Sequence, residues 1–245
     1  MKKEIENILV LGDSLCKGVV LDEQRKKYRF INDCFVNLVQ NNIKPCLYNA
    51  SKFGTTVLYG RQVLEHNLEK HSPDVVFLEY GGNDCDYEWD EIAKNPYFDH
   101  IPKTPLDVFE STLKEMIGLV KDAAAIPVVM TLPPLNALNY FNWFTKGDTE
   151  KGGNILKWLE DVWRIYWWQE RYSSAVMSLA EECGAYCIDV RHAFLKKLDF
   201  RKFICEDGIH PNPSGHALIA SEIMSYIKNF AEQLIAVKSP LPAMV

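Results

Sequence analysis

The segment at residues 8–15 has the sequence Ile-Leu-Val-Leu-Gly-Asp-Ser-Leu. Its apolar first half is short and continuous, which is typical of a strand buried on both faces. The glycine that follows permits a tight turn, after which Ser14 is predicted to stand at the start of a helix. A helix N-terminus favours negative charge, so this position suits a reactive anion. The segment therefore predicts a parallel α/β sheet with a polar site after its first strand.

Apolar runs of the same kind recur along the chain. They cover residues 46–48, 75–80, 128–132 and 186–190. Segments with apolar residues at helical spacing lie between them, and the third of these runs from Ile155 to Tyr172. Strands that alternate with helices indicate βαβ units. We therefore expect an α/β fold, a three-layer α/β/α sandwich around a five-stranded parallel, flavodoxin-like sheet.

The length of 245 residues favours one domain over residues 1–245. A last helix is predicted from an apolar stripe that runs from Ile219 to Phe230. The tail after about residue 236 contains two prolines and is predicted to be a frayed end. The stretches 85–104 and 136–154 exceed ordinary connections, and we expect long functional or mobile loops there.

The composition excludes several classes of partner. The formal net charge is -6 and no basic block occurs, so we expect no nucleic-acid partner. No stretch approaches the roughly 20 apolar residues of a membrane span, and no secretory signal is recognisable. We therefore expect a cytoplasmic protein without membrane insertion. The seven cysteines include no Cys-x-x-Cys pair, which indicates reduced and mostly buried thiols.

Glycine or polar side chains follow four of the predicted strands. They are Ser14, Gly54, Asn83 and, after the fifth strand and a short helix, Asp207 and His210. Ligands of open parallel sheets bind at the carboxyl ends of the strands, so we expect these residues to converge. Helix capping or turn formation explains each motif taken alone. Their common position after strands instead indicates acyl transfer.

The residue types fit the roles that acyl transfer requires. A serine hydroxyl needs a base, and the base needs an orienting acid. Asp207 and His210 are three residues apart, so a tight turn lets Asp207 hold one ring nitrogen while the other faces Ser14. The side-chain amide of Asn83 and the backbone N–H groups of Gly54 and Ser14 are candidate donors for an oxyanion hole.

These motifs resemble those of the GDSL/SGNH hydrolase superfamily. The four residues of SGNH correspond to Ser14, Gly54, Asn83 and His210. The segments that resemble its bacterial thioesterase/lysophospholipase branch are 49–54, 81–84 and 207–212. The resemblance extends from Ile8 to about Ile227. It implies a flavodoxin-like fold, no cofactor or metal, and hydrolysis of a small-molecule ester or thioester through an acyl-enzyme. The longer segments after the third and fourth strands depart from the compact thioesterases, so substrate choice does not carry over.

Other groups of residues have competing explanations. The aromatic side chains at 140–144 either overhang the site or pack against the next helix. The four tryptophans at positions 158, 163, 167 and 168 cannot share one helix face, so some are expected to be exposed. The acids at 84–91 either repel anionic substrates or form a solvated loop. His66 and His71 have the wrong spacing for a metal site on one helix face.

Different functions are compatible with this sequence. A serine esterase is favoured, with a small acyl group such as acetyl on a carbohydrate or another polar alcohol. A thioesterase or lysophospholipase for longer acyl chains is the alternative within the same chemistry, and an acyltransferase uses the same residues while excluding water. A non-catalytic flavodoxin-like binding module is the alternative from another class. That module leaves the joint occurrence of Ser14, Gly54, Asn83 and His210 unexplained.

Overall fold

A computed structural model describes residues 5–231 of the chain. Its strands are β1 (Asn7–Gly12), β2 (Val19–Asp22), β3 (Lys27–Phe30), β4 (Cys46–Asn49), β5 (Val75–Glu79), β6 (Ile126–Met130) and β7 (Tyr186–Ile188). Its α-helices are α1 (Phe35–Asn42), α2 (Val57–His71), α3 (Trp89–Lys94), α4 (Leu106–Asp122), α5 (Ala137–Thr145), α6 (Thr149–Leu159), α7 (Arg164–Cys183), α8 (Val190–Leu195) and α9 (Pro213–Tyr226). The predicted tail after residue 236 and the side chain of Phe230 lie outside what the structure describes.

The central sheet confirms the predicted architecture. Five parallel strands pair in the order β4-β1-β5-β6-β7, with β1 bonded to both β4 and β5. Alternate residues of β1 point to opposite faces: Val10 packs with α1 and α9, whereas Leu9 and Leu11 pack with α2, α4 and α7. Because both faces are covered by helices, the inner strands β1, β5 and β6 are mostly apolar, whereas the edge strands β4 and β7 are partly exposed.

An antiparallel hairpin of β2 and β3 precedes the first helix and was not predicted. Strand β3 has the sequence Lys-Tyr-Arg-Phe, and all of its residues are exposed. A strand without a buried face lacks the alternation or the apolar run that identifies strands in a sequence. The hairpin matters for function because it carries Tyr28, which reaches the site described below.

The prediction of long loops at 85–104 and 136–154 was wrong for the second segment and partly wrong for the first. Residues 137–145 and 149–159 form α5 and α6, and α3 interrupts the first segment. Side-chain oxygens of Asn136 and Asp148 accept from backbone N–H groups and cap α5 and α6. These helices bury Trp89, Phe141 and Ile155 in a hydrophobic cluster of their own. The loop prediction rested on the length of these segments, and packing against residues far away in the sequence stabilises the helices that form there.

The predicted long helix from Ile155 to Tyr172 is two helices in the structure. Helix α6 ends at Leu159, and Glu160 follows with a φ of 60°, outside the helical region. The break lets both helices turn an apolar side chain toward the cluster around Trp89. As expected, the tryptophans point in different directions. Trp163 and Trp167 are 55% and 54% exposed, whereas Trp158 and Trp168 pack against Tyr87.

Candidate active site

Ser14 lies in a turn directly after β1, and its side chain is buried. The expected helix after this residue is absent: residues 14–18 form turns that lead into β2, and one bond, from Lys17 N–H to the Asp13 carbonyl, has helical spacing. The Asp13 carboxylate accepts from the N–H of Leu15 at 2.9 Å and holds the turn. Ser14 is therefore positioned by a turn and not by a helix N-terminus.

Asp207 and His210 lie in the loop before α9. The Asp207 carboxylate accepts from the backbone N–H groups of Ile209 and His210 at 3.1 and 3.2 Å, so the acid stabilises its own turn. Gly208 has a φ of +81°, and a Cβ there would lie 2.5 Å from the carbonyl oxygen of Asn136. Only glycine therefore allows this loop to lie against the start of α5.

The structure brings Ser14, His210 and Asp207 together in one chain of hydrogen bonds. His210 Nε2 lies 3.0 Å from Ser14 Oγ, and Nδ1 of the same ring lies 2.7 Å from Asp207 Oδ2. All three side chains are buried, yet Ser14 and His210 line a cavity of about 150 Å³. A hydroxyl, an imidazole and a carboxylate in this order have the geometry by which an imidazole removes the hydroxyl proton.

Donors for a developing negative charge surround the same cavity. Among the described residues, no protein acceptor takes the backbone N–H of Ser14 or of Gly54. Gly54 has a φ of +72°, so its turn favours glycine. The amide nitrogen of Asn83 donates to Asp13 Oδ2 at 2.7 Å and to the Thr55 carbonyl at 3.1 Å. The two backbone groups are thus free for a ligand, whereas Asn83 has to release one of its bonds.

Glu79 is a buried acid of the site that sequence reasoning missed. Its Oε2 accepts from the N–H of Asp13 at 3.3 Å and from the thiol of Cys16 at 3.5 Å. Burial and the neighbouring Asp13 carboxylate raise the pKa of Glu79 well above its ordinary value. Glu79 therefore keeps its proton to a higher pH than an ordinary glutamate, and the N–H donors around Asp13 favour the negative charge of the pair there. The only signal in the sequence was a single acid within an apolar strand.

Of the acids after Asn83, Glu88, Asp90 and Glu91 are exposed, whereas Asp84 and Asp86 are bonded within the protein. The Asp84 carboxylate is buried, accepts from the first N–H of α2 at 3.0 Å and has its pKa raised to about 6 by burial. Asp86 accepts from the Tyr140 hydroxyl at 2.7 Å and from the Trp89 indole at 2.8 Å. Its second oxygen pairs with Lys103 at 2.8 Å. These bonds weaken the expectation that the segment repels anionic substrates.

The cavity has an apolar inner wall and an aromatic mouth. Leu132, Leu135 and Ile165 line its interior together with Trp89, Tyr140 and Trp168. Of the predicted aromatic group, Tyr140 reaches the cavity, whereas Phe141 and Phe144 pack in the hydrophobic cluster. Two aromatic side chains that the sequence did not single out, Tyr28 and Phe53, stand beside His210.

Three further properties concern the described part of the chain as a whole. Within residues 5–231, no group of three or more His, Cys, Asp or Glu side chains is arranged to hold a metal ion. None of the helices in that range combines the length and apolar character that a membrane crossing requires. The seven cysteines are free thiols, and Cys16, Cys34, Cys85 and Cys205 are buried.

Comparison with known proteins identifies the family. The profile of the GDSL-like lipase/acylhydrolase family matches residues 10–218, and the chain belongs to this family. It is 30% identical to an arylesterase of Vibrio mimicus over 141 residues, which are 57% of this chain and 62% of the arylesterase. It is 24% identical over 217 residues to thioesterase 1/protease 1/lysophospholipase L1 of Escherichia coli, covering 88% and 80% of the two chains.

The fold is shared with a solved structure of the same class. The lipase/acylhydrolase from Enterococcus faecalis superimposes with a TM-score of 0.66 and 18% identity, covering 96% of this chain and all of that one. This similarity confirms the fold. The match to the arylesterase spans less than two thirds of that protein, so the activity of this chain has to be argued from its own site.

Proposed function

We propose that this protein hydrolyses carboxylic esters through an acyl-enzyme intermediate, with Ser14 as nucleophile. The observation that carries the proposal is the bonded series Ser14–His210–Asp207, with distances of 3.0 and 2.7 Å, at the edge of a cavity. Membership of a lipase/acylhydrolase family supports the same reaction class. A non-catalytic binding module has no need of this arrangement.

Each residue of the site has its own role in the proposed reaction. His210 removes the proton of the Ser14 hydroxyl as the oxygen attacks the ester carbonyl, and Asp207 stabilises the imidazolium that forms. The N–H groups of Ser14 and Gly54 receive the oxyanion. Asn83 joins them by exchanging its longer bond, to the Thr55 carbonyl, for the oxyanion. His210 then protonates the leaving alcohol, and water hydrolyses the acyl-enzyme by the same steps in reverse.

The substrate that we propose has a small acyl group, acetyl in the first place, on a polar alcohol such as a sugar. A cavity of about 150 Å³ must hold the acyl group and part of the alcohol together. Polar side chains also line the cavity, since Asp86 and Gln169 lie in its wall beside the aromatic rings. Such a mixed lining suits a short acyl group better than an extended alkyl chain.

A longer acyl chain is the second candidate, as in a thioesterase or lysophospholipase. The specific observation in its favour is the apolar lining by Leu132, Leu135 and Ile165. The Escherichia coli relative, which matches 88% of the chain, bears a thioesterase and lysophospholipase name. The acyl-length series described in the Discussion decides between the two candidates.

The reaction class is tested with a fluorophosphonate probe and with Ser14→Ala. The parent protein should be labelled at Ser14, and Ser14→Ala should lose both labelling and several orders of magnitude of esterase turnover. Ser111→Ala is the matched control, because Ser111 is an exposed serine on α4 whose hydroxyl bonds to a backbone carbonyl. A folded Ser14→Ala protein with near-normal turnover would refute the assignment.

A further inference from the structure

Two aromatic rings flank His210 at the mouth of the cavity. The Tyr28 ring centroid lies 4.8 Å from that of the imidazole, edge-on at 61°. The Phe53 ring lies 6.4 Å away and is nearly parallel to the imidazole, at 10°. Tyr28 is 38% exposed and Phe53 is 45% exposed, so each ring keeps surface available to a bound molecule. The centroids of the Tyr28 and Phe53 rings lie 5.7 Å apart, and the centroid of the Trp143 ring lies 6.0 Å from that of Tyr28.

The stereochemistry of ester hydrolysis determines which part of the substrate meets these rings. The tetrahedral carbon carries four substituents: the oxygen of Ser14, the oxyanion, the leaving oxygen and the acyl chain. The oxyanion points to the free N–H groups of Ser14 and Gly54. The leaving oxygen has to lie within hydrogen-bond reach of His210 Nε2, because His210 protonates it. The alcohol therefore leaves along the side of the imidazole, where Tyr28 and Phe53 stand, and the acyl chain takes the remaining, inner part of the cavity.

We infer that Tyr28 and Phe53 form a subsite for the leaving alcohol, and that this alcohol carries a six-membered ring with a flat face. The inference rests on the proposed ester hydrolysis and adds the alcohol class to it. Aromatic faces attract flat rings beyond the gain from buried area, by an amount equivalent to about threefold to tenfold in rate for each pair. An aryl alcohol and a pyranose sugar share the flat face that this subsite binds.

The experiment compares esters that have one acyl group and different alcohols. The value of kcat/KM is measured for phenyl acetate, for n-hexyl acetate, which has the same number of carbons in an open chain, and for a mono-acetylated methyl xyloside. The variants are Phe53→Leu and Tyr28→Leu. Differences in chemical reactivity between the esters cancel when the ratio of phenyl to hexyl acetate is compared between parent and variant. The matched control is Tyr97→Leu, because Tyr97 is 81% exposed and does not line the cavity.

The ratio of phenyl to hexyl acetate should fall about threefold to tenfold in each subsite variant and stay unchanged in Tyr97→Leu. Tyr28→Phe keeps the ring and should retain the ratio. The xyloside distinguishes a sugar from an aryl alcohol. If the kcat/KM ratio of xyloside to hexyl acetate falls together with that of phenyl to hexyl acetate, the subsite accepts sugars. If only the ratio of phenyl to hexyl acetate falls, the alcohol is an aryl alcohol.

An unchanged ratio in both leucine variants would overturn the subsite, even where overall turnover falls, since that pattern means that the rings only hold His210 in place. This failure is distinguishable from failure of the proposed function. A parent that is labelled by fluorophosphonate and hydrolyses the acetates, with an unchanged ratio in the variants, refutes the subsite alone. A parent that neither labels nor hydrolyses refutes both.

Discussion

The protonation of single residues in this site depends on their surroundings more than on their type. Glu79 and Asp13 are both buried acids, and one hydrogen-bonds to the backbone of the other. Two adjacent negative charges in a medium of low polarity are strongly unfavourable. Burial raises the pKa of both acids, and because Asn83 and Leu15 donate to Asp13, the pair favours the negative charge on Asp13 and the proton on Glu79. A neutral Glu79 also avoids a second charge near Ser14.

Relative to the parent protein, the Glu79→Gln variant should become more stable as pH rises, because only the parent loses stability. The pKa of Glu79 is raised in the folded state above its ordinary value of 4.5, so the unfolded chain loses this proton first. The free energy of unfolding of the parent therefore falls by roughly 1.4 kcal/mol for each pH unit above about 4.5, up to the folded pKa. Glu79→Gln has no such loss, and urea unfolding at several pH values measures the difference.

Other groups act on the same pH curve and cancel in the comparison of parent with variant. Asp84 has its pKa raised to about 6, so its contribution to the free energy of unfolding also falls as pH rises. Burial lowers the pKa of His216 to about 4. Its contribution to the free energy of unfolding therefore changes in the opposite direction and falls as pH drops below 6.5. Glu69→Gln makes the same substitution at an exposed position on α2 and is the control. A constant difference between Glu79→Gln and the parent from pH 4.5 to 8 would contradict a neutral Glu79.

At the level of elements, the loop with Asp207 and His210 depends on its contact with α5. The N–H of Asn136 donates to the carbonyl of Gly208 at 2.8 Å, and the loop backbone lies close to Tyr140. Helix α5 thus serves the site in two ways: it supports the loop, and it supplies Tyr140 to the cavity. A segment that the sequence suggested to be a loop proves to be a rigid support.

Gly208→Ala should disrupt this contact. An alanine Cβ would meet backbone atoms of Asn136 and Tyr140 at 2.5 Å, at a φ of +81° that disfavours side chains. We expect a loss of about 3 kcal/mol or more in stability and of at least about tenfold in kcat, because the loop must move. Gly147→Ala is the control, since Gly147 has a φ of +75° but open space around it. It should cost about 1 to 2 kcal/mol and leave kcat unchanged. Equal effects of the two variants would show that the contact with α5 is unimportant.

At the level of the whole molecule, the cavity lies between the carboxyl edge of the parallel sheet and residues of α3, α5 and α7. Trp89, Tyr140 and Trp168 line the cavity and pack in the hydrophobic cluster of those helices. The space available to the acyl group is therefore set by how these helices pack. A change of acyl length measures that space directly.

The p-nitrophenyl esters from acetate to octanoate test the acyl preference. We expect kcat/KM to be highest for the shortest acyl groups and to fall by about tenfold or more at eight carbons, because a cavity of about 150 Å³ has little space for a long chain beside the alcohol. A deep apolar channel would instead gain about 0.8 kcal/mol for each buried methylene. A rise of about tenfold or more toward octanoate would replace the small-acyl proposal with the thioesterase or lysophospholipase candidate.

The sequence by itself determined the sheet and the set of reactive residues. Continuous apolar runs identify strands that are covered on both faces, and the carboxyl ends of such strands meet at one edge. For that reason Ser14, Asp207 and His210 were predicted to meet, and the structure places them in contact across 196 residues of chain. Their catalytic roles stay a prediction until the variants are measured.

Only the tertiary structure decided what surrounds those residues. Strand β3, which carries Tyr28, has no buried face, so it shows neither the alternation nor the apolar run by which a strand is predicted. Helices α5 and α6 form because they bury side chains against α3, a contact that periodicity within one segment does not contain. The protonation of Glu79 likewise depends on Asp13, which is 66 residues away. Local pattern reports which face of a segment is apolar, whereas pKa values, ring contacts and cavity walls arise from groups that folding brings together.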